Sequence, residues 1–350
     1  MKKFLPPHMI RSFLGSIGIS LVALILVYIY MGWQAAFVTL VLMVIEITFS
    51  FDNAIVNAKV LNTMSHFWQR IFMTIGILIA VFGMRIVFPI VVVMITAGLS
   101  WGQVVDLALN DAPAYAAALG SSHTSIASFG SMFLLMLALH FFFDSSRHIH
   151  WNKTFEPIMQ RLGRWWLPGL VSAVLLGIAA IVPFNHHPAD TLIAGAVGIV
   201  TYLAVAGMSH VFTKQHEKTE KKAGKKMLKT GMAGFSAFLY LEVLDASFSL
   251  DGVIGAFAIT PNVVLIAIGL GVGAVWVRSL TIYMVRHQVL HAFRYLEHGA
   301  HYTIMVLSVV LLFSLFIDIP EAVAGVVGVS IIAASVVSSR KAEKNDKVNA

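Results

Sequence analysis

Cysteine is absent from this chain of 350 residues, and charged residues make up only 12% of it. Without cysteine, the chain has no disulfide bonds and no thiolate metal sites. A soluble domain carries about 25% charged residues. Here hydrophobic residues account for 58% of the chain and the mean hydropathy is +0.84. This composition, with its long uncharged runs, is typical of a polytopic membrane protein.

The formal net charge of +7 does not point to nucleic acid, because cytoplasmic loops of membrane proteins are rich in lysine and arginine. We therefore expect no nucleic-acid partner. Lys2 and Lys3 precede an apolar run that reaches Met31 and resembles a signal peptide. The run is too long for a signal peptide, and no small-residue cleavage site follows it cleanly. We predict that it is an uncleaved first span.

Long apolar segments recur along the whole chain, and a membrane span needs about 20 apolar residues. We predict an all-α polytopic membrane protein with ten transmembrane helices. The predicted spans are 12–31, 35–60, 71–98, 129–143, 167–184, 190–212, 231–259, 262–285, 302–317 and 319–339.

Among the connections between these spans, only alternate ones contain lysine and arginine. The basic connections are 1–11, 144–166, 213–230, 286–300 and 340–350. Because positive loops stay in the cytoplasm, this alternation predicts that both termini lie inside, and we expect the membrane to be the plasma membrane. It makes 213–230 a basic cytoplasmic linker and 340–350 a basic cytoplasmic tail.

Two stretches near opposite ends of the chain share one unusual pattern. Residues 46–52 read Glu-Ile-Thr-Phe-Ser-Phe-Asp, and residues 245–251 read Asp-Ala-Ser-Phe-Ser-Leu-Asp. The spans that carry them are five crossings apart and therefore run in opposite directions. This predicts a five-plus-five inverted repeat. The first membrane half is 1–212, with the motif helix at 35–60, and the second-motif half is 231–339. Transporters of this architecture bind substrate near the membrane midplane, between the halves.

Away from the ends of the predicted spans, five carboxylates and two arginines lie within the membrane. They are Glu46, Asp52, Glu242, Asp245, Asp251, Arg85 and Arg278. Each unpaired charge at mid-bilayer costs about 3 kcal/mol on insertion scales, so these groups must face one another, water or a bound ion. Two arginines neutralise only two carboxylates. The remaining negative charge favours a cation, or protons, as the substrate.

Helical spacing places Glu46, Ser50, Asn53 and Asn57 on one polar face of the second span. Glu46 and Asp52 would be about 9 Å apart along an unbroken helix, so one ion could not contact both. Two arrangements remain open. Either the span unwinds near Ser50–Asn53, or each motif supplies part of a site that the other completes.

Several of these residues also have a purely structural explanation. Asp52 and Asp251 could form ion pairs with the arginines, and the hydroxyls of Thr48, Ser247 and Ser249 could bond to their own helices. His140, at the inner end of the fourth span, fits an interfacial position.

At these motifs the chain resembles the TerC family of the LysE transporter superfamily. The matching residues are Glu46, Ser50, Asp52, Asn53 and Ala54 in the first motif, Arg85 in the next span, then Asp245, Phe248, Ser249, Asp251, Ala256, Phe257 through Thr260, and Arg278-Ser279-Leu280. Gly252-Val253-Ile254-Gly255 departs from the family pattern, which indicates a divergent branch. The resemblance implies export of a divalent cation from the bacterial cytoplasm, with manganese as the best-supported ion. It also implies a link to tellurium resistance.

From the motifs and the resemblance together we predict a secondary transporter, not an enzyme, with no permanently bound cofactor. Mn²⁺ is the expected substrate and protons are the expected counter-ion. The predicted metal ligands are Glu46, Asp52, Asn53, Asp245 and Asp251. The predicted charge-balancing residues are Arg85 and Arg278. The candidate accessory residues are Glu242, Ser50, Ser249, Asn57 and His140.

Two rival functions remain. In one, the chain is a membrane-bound scaffold of a metal or tellurite stress-response complex. Its intramembrane charges would then be structural, and its basic linker would bind cytoplasmic stress proteins. The other is an intramembrane hydrolase, which is weaker because no Ser/His pair or HExxH pattern lies within the spans.

Overall fold

The computed structural model describes the backbone of residues 7–223, 227–260, 262–317 and 319–348. Within these ranges it does not describe the side chains of 7–12, 215–223, 249–251, 254, 255, 258, 291, 321, 322, 345, 347 and 348. The structure is 84% helical, and the described residues form no strand. In chain order the helices are α1 (Pro7–Phe49), α2 (Phe51–Leu61), α3 (His66–Leu78), a π-helix (Ile79–Val87), α4 (Phe88–Ala97), α5 (Trp101–Asn110), α6 (Ala112–Ser121), α7 (His123–Phe142), α8 (Phe155–Arg161), α9 (Leu167–Ile181), α10 (Pro188–Ala223), α11 (Gly231–Ile259), α12 (Val263–Arg286), α13 (Val289–Ala292), α14 (Leu296–Phe313) and α15 (Glu321–Val348).

Seven helical segments of the described chain are long and apolar enough to cross a membrane. They are Phe13–Phe49, His66–Ala97, His123–Phe142, Pro188–Lys214, Val263–Arg286, Leu296–Phe313 and Val323–Lys344. Their length and composition confirm the prediction of an all-α, multi-pass membrane protein.

The difference between these seven segments and the ten predicted spans has three sources. The segment Phe13–Phe49 covers the first two predicted spans, and within it two helices meet at a kink at Gly32, with φ 86° and ψ 177°. That positive φ requires glycine. Helix α9 is apolar but has only 15 residues. Helix α11 carries three carboxylate residues, Glu242, Asp245 and Asp251, and is not among the seven segments. The ten-span count and the inverted repeat remain predictions.

The first compact unit contains the described residues of 1–122 and 228–287. Its most extensive packing joins α1 to α12. A Cβ atom at Gly269 would lie 2.6 Å from Cβ of Leu42, and one at Gly273 would lie 2.6 Å from Cβ and Cγ of Glu46. Small residues spaced four apart allow this close approach of two membrane helices. The approach holds the first motif against α12.

The hydrophobic core of this unit lies beside the motif helices, where the end of α2 meets α3, α11 and α12. Its buried members are Leu61, Met64, Phe72, Ala237, Phe238, Leu241 and Ile282. Phe72 and Leu241 are fully buried, so this core fixes the helices that carry Glu242 and Arg278.

The second compact unit contains the described residues of 123–227 and 288–350. Helix α7 is its centre and packs on α10 and α14, while α15 packs on α14 and α9 on α10. The α7 side chains are almost all buried, as expected for a central helix. One core cluster comprises Met132, Leu135, Leu139, Phe143 and Leu176.

Each compact unit combines an N-terminal segment with a C-terminal one, so the two motif stretches belong to the same unit. The halves 1–212 and 231–339 remain predictions. Helix α10 extends into the predicted linker 213–230 as far as Ala223. The connection 99–128, between the third and fourth predicted spans, contains α5, α6 and the beginning of α7.

We predict that Gly273→Leu lowers the thermal stability of the protein, because the new side chain would overlap Glu46 and the backbone oxygen of Met43. Overpacking of this kind typically costs about 1–3 kcal/mol. Unfolding in detergent, followed by circular dichroism, would measure the loss in Tm. Gly18→Leu is the matched control, since Gly18 has open space around its Cβ position. An equal loss in both variants would contradict the close packing.

Candidate functional site

The first motif lies across a short break between α1 and α2. Helix α1 ends at Phe49, Ser50 has φ −92° and ψ 15°, and α2 begins at Phe51. The break is confined to Ser50, whose N–H still donates to the Glu46 carbonyl (3.0 Å) and whose carbonyl accepts from Ala54 N–H (3.1 Å). The sequence left open whether the span is interrupted near Ser50–Asn53. The structure has a local interruption there, at Ser50.

Asp52 lies in the first turn of α2 because of that break. Its Oδ1 accepts a hydrogen bond from the backbone N–H of Asn53 at 2.9 Å. A carboxylate in this position interacts favourably with the positive end of the helix dipole. Asp52 is only 3% exposed.

Arg278 of α12 is held tightly between two carboxylates of α11. Its Nη1 donates to Glu242 Oε1 (3.1 Å) and to the Phe72 carbonyl (3.2 Å). Its Nη2 donates to Glu242 Oε2 (3.3 Å) and to Asp245 Oδ2 (3.1 Å). The guanidinium also lies over the Phe72 ring, 3.8 Å from the centroid. Buried charges are tolerated when they are paired in this way.

Gly76 of α3 makes room for this pair. A Cβ atom there would lie 2.6 Å from both Arg278 Nη1 and Glu242 Oε1. The absence of a side chain at Gly76 therefore permits the Arg278–Glu242 contact.

Arg85 connects the two motifs from the π-helix. Its Nη2 donates to Glu46 Oε1, and its Nη1 donates to the carbonyl of Ala80 at 2.7 Å. The same Nη1 lies 4.0 Å from Asp245 Oδ2. π-Helical segments are rare and often occur at functional sites. Glu46 from the first motif and Asp245 from the second are thus brought to one guanidinium.

Asn53 forms a direct link between the motifs. Its Nδ2 donates to Asp245 Oδ1 at 2.7 Å. An ionised carboxylate only accepts hydrogen bonds, so Asn53 must turn its NH₂ toward Asp245 and its oxygen away. Asp245 therefore fixes the orientation of the Asn53 amide.

Three buried oxygens on α2 have no hydrogen-bond partner within the described structure: Asp52 Oδ2, Asn53 Oδ1 and Asn57 Oδ1. Asn53 is 2% exposed and Asn57 is 1% exposed. More than nine in ten buried polar groups in proteins have a partner, so three such acceptors on one short helix are exceptional. Oxygen acceptors lacking donors are the groups that a cation would satisfy.

The charge of this cluster is negative. Glu46, Asp52, Glu242 and Asp245 are four buried carboxylates, and Arg85 and Arg278 are two buried guanidinium groups. Two negative charges remain uncompensated when all four acids are ionised. Of the four, Asp52 alone forms no ion pair among the described side chains.

The structure separates the predicted ligands into two groups. Glu46 and Asp245 are bound to arginines, whereas Asp52 and Asn53, with the accessory residue Asn57, have oxygens without partners. The accessory residue Ser50 donates to Glu46 Oε1 at 3.1 Å.

Four further candidate residues remain, Glu242, Ser249, Asp251 and His140. Glu242, an accessory candidate, is bound to Arg278. The side chains of Ser249 and Asp251 lie outside the described residues. His140 belongs to the second unit, where its Nδ1 is 3.1 Å from the Met136 carbonyl of its own helix. No group of three or more His, Asp or Glu side chains within the described chain is arranged to hold a metal ion.

The structural explanation is confirmed for two hydroxyls. Thr48 donates to the Val44 carbonyl at 2.6 Å and Ser247 donates to the Val243 carbonyl at 2.9 Å. Both bonds lie within one helix, as the structural explanation predicts.

The second unit contains a buried polar cluster that the sequence did not reveal. His298 Nδ1 lies 2.9 Å from Glu156 Oε2, without the alignment of a hydrogen bond. Arg147 Nη2 is 3.3 Å from the other ring nitrogen of His298, and Nη1 donates to Glu297 Oε1 at 3.1 Å. The Arg147 guanidinium lies over the Phe141 ring at 3.2 Å. Arg147, Glu297 and His298 fell in predicted loops, where charged residues are ordinary, so no sequence signal marked them.

Glu156 is the anionic centre of this cluster. Burial by itself raises the pKa of its carboxyl, but the contact with His298 and hydrogen bonds from the N–H groups of Asn152 and Trp151 outweigh burial. The pKa of Glu156 therefore lies below its usual range.

This shift predicts a pH-dependent contribution of Glu156 to stability. A lowered folded-state pKa stabilises the protein above the unfolded pKa, about 4.3 for glutamate, and the effect disappears as pH falls through the folded pKa. We expect Glu156→Gln to lower Tm at pH 7 and the difference from wild type to shrink below pH ~4.3. Asp106→Asn, at an exposed carboxylate, is the control. A difference that stays constant with pH would refute the assignment.

The model of the family described as "Protein of unknown function (DUF475)" matches residues 51–346. No curated protein and no solved structure matches the chain. The matched range includes Asp52, Asn53 and Asn57 of α2, and both arginines. Because the match covers far more than half of the chain, this protein belongs to the DUF475 family.

Proposed function

We propose that this protein is a secondary transporter that exports a hard divalent cation through the site formed by its two acidic motifs. Manganese is the first candidate for this cation. The observation that carries the proposal is the set of three buried, unpartnered oxygens on α2. Asp52 supplies a carboxylate, and Asn53 and Asn57 supply carboxamide oxygens. Glu46, Asp245 and Asp251 complete the proposed site when the cation is bound.

The chemistry of these ligands favours a hard cation. Carboxylate and carbonyl oxygens suit Mg²⁺, Ca²⁺ and Mn²⁺, whereas softer ions prefer thiolates, and the chain has no cysteine. A buried acceptor without a donor costs about 1–3 kcal/mol. A cation bound to these oxygens would remove that cost for each of them.

The charge of the site supports the same sign of substrate. The cluster keeps two excess negative charges when its four described acids are ionised, and a divalent cation would neutralise them. Arg85 and Arg278 balance the other carboxylates while the site is empty. Ionisable residues placed among membrane helices commonly mark ion pathways. Manganese, outward flux and proton exchange follow the resemblance to the TerC family.

A membrane-bound scaffold for a metal or tellurite stress-response complex is the alternative, and one observation favours it. Glu46, Glu242 and Asp245 all form ion pairs with arginine, as structural charges would. That explanation does not account for Asp52, nor for the free oxygens of Asn53 and Asn57. We therefore rank the transporter first.

The proposal predicts that expression of the wild type lowers total manganese in cells challenged with Mn²⁺. Asp52→Asn and Asn57→Leu should lose most of this effect, because each removes a proposed ligand. Elemental mass spectrometry of washed cells would measure the metal.

Thr48→Val is the matched control from the same motif, since its hydroxyl bonds only to Val44, and it should export like the wild type. Equal manganese in cells carrying wild type, Asp52→Asn or no protein, with the proteins present in the membrane in equal amounts, would refute manganese export.

A further inference from the structure

The two buried arginines of the first unit are held very differently. Arg278 makes four hydrogen bonds, to Phe72, Glu242 and Asp245, and lies over an aromatic ring. Arg85 makes two with the described residues, to Ala80 and Glu46. The Nε of Arg85 is buried and has no partner among the described atoms. Arg85 is thus the less firmly bound of the two charges.

The backbone around Arg85 is also less regular than the backbone around Arg278. Arg278 lies in the regular α12, while Arg85 lies in the π-helix. A π-helix is a less favourable backbone conformation than an α-helix, so a return toward α-helical bonding is an available rearrangement. Nη1 of Arg85 already bonds to the Ala80 carbonyl of its own segment, which offers the guanidinium a place to remain when it leaves Glu46.

The position of Arg85 makes it a competitor of any cation in the site. Its Nη2 holds Glu46, and its Nη1 is 4.0 Å from the carboxylate of Asp245. The other oxygen of Asp245 holds the Asn53 amide, whose free oxygen is a proposed ligand. A divalent cation on Asn53 and Asp52 would repel the guanidinium and compete with it for the same carboxylates.

We propose that Arg85 is an internal counter-cation that binds Glu46 while the site is empty and is displaced from it when the divalent cation enters. Arg278 stays in place as the fixed partner of Glu242 and Asp245. This inference rests on the proposed transport function. It makes Arg85 a residue that sets affinity and release: without its charge the cation binds more tightly and leaves more slowly.

The test compares Mn²⁺ binding and Mn²⁺ export in the full-length protein. Binding to purified protein in detergent is measured by loss of the electron paramagnetic resonance signal of free Mn²⁺. Export is measured as cellular manganese. We expect Arg85→Gln to bind Mn²⁺ about tenfold more tightly, because the cation no longer competes with the guanidinium, and to export less. Arg278→Gln is the matched control and should lose thermal stability without tighter binding.

A purely structural role for Arg85 predicts the opposite for binding, because an uncompensated carboxylate would disturb the site. Arg85→Gln that is folded by circular dichroism but binds Mn²⁺ no more tightly than the wild type would overturn the proposal. So would equal tightening in Arg278→Gln.

Arg85→Lys covers the case in which Arg85→Gln does not fold. Lysine keeps the charge but cannot hold Glu46 and the Ala80 carbonyl with two separate nitrogens, so Mn²⁺ should bind more tightly than to the wild type, by less than about tenfold. No tightening in a folded Arg85→Lys protein would also overturn the proposal. Failure of the transport function itself is recognised separately, as wild-type protein that binds no Mn²⁺ or as Asp52→Asn that binds it equally well.

Discussion

The cost of placing charge among apolar helices governs the first unit. Glu46, Glu242 and Asp245 are buried together with Arg85 and Arg278, and each acid contacts a guanidinium. Unpaired charges at this depth would each cost several kcal/mol, so the helices must bring the pairs together. Gly273 and Gly76 allow this packing, because a side chain at Gly273 would overlap Glu46 and one at Gly76 would overlap the Arg278–Glu242 pair.

Three side-chain oxygens on α2 are an exception to this pairing of buried charged and polar groups. Asp52, Asn53 and Asn57 are as deeply buried as the ion pairs, yet one oxygen of each has no partner. Asp245 joins the two systems, since one of its oxygens accepts from Arg278 and the other from Asn53. A single carboxylate therefore couples the charge balance of the unit to the orientation of a proposed ligand. Arg278 is fixed by its bonds to Glu242 and Asp245, whereas Arg85 is held by fewer bonds, so we treat Arg85 as the group that responds to a bound cation.

Much of this arrangement was predictable from the sequence. Intramembrane charge and helical spacing identified the acids, the two arginines and the polar face of α2, and hydropathy placed the helices. The sequence could not assign partners, because Arg85 reaches Glu46 and Asp245 only through tertiary packing. The ten-span count stays a prediction, because Phe13–Phe49 contains two helices joined by a kink at Gly32, and α11, with its carboxylates, is not among the seven apolar segments. The cluster of Arg147, Glu156 and His298 was missed because contacts between distant segments leave no periodic pattern.

The central claim is that this protein itself carries a divalent cation across a membrane. The most direct measurement is uptake of Mn²⁺ into liposomes that contain the purified protein and no other, followed with an enclosed metal-sensitive dye. Uptake should exceed that of protein-free liposomes and should fall to their level with Asp52→Asn. Uptake by the wild type that equals protein-free liposomes, with the protein inserted and folded, would contradict the account.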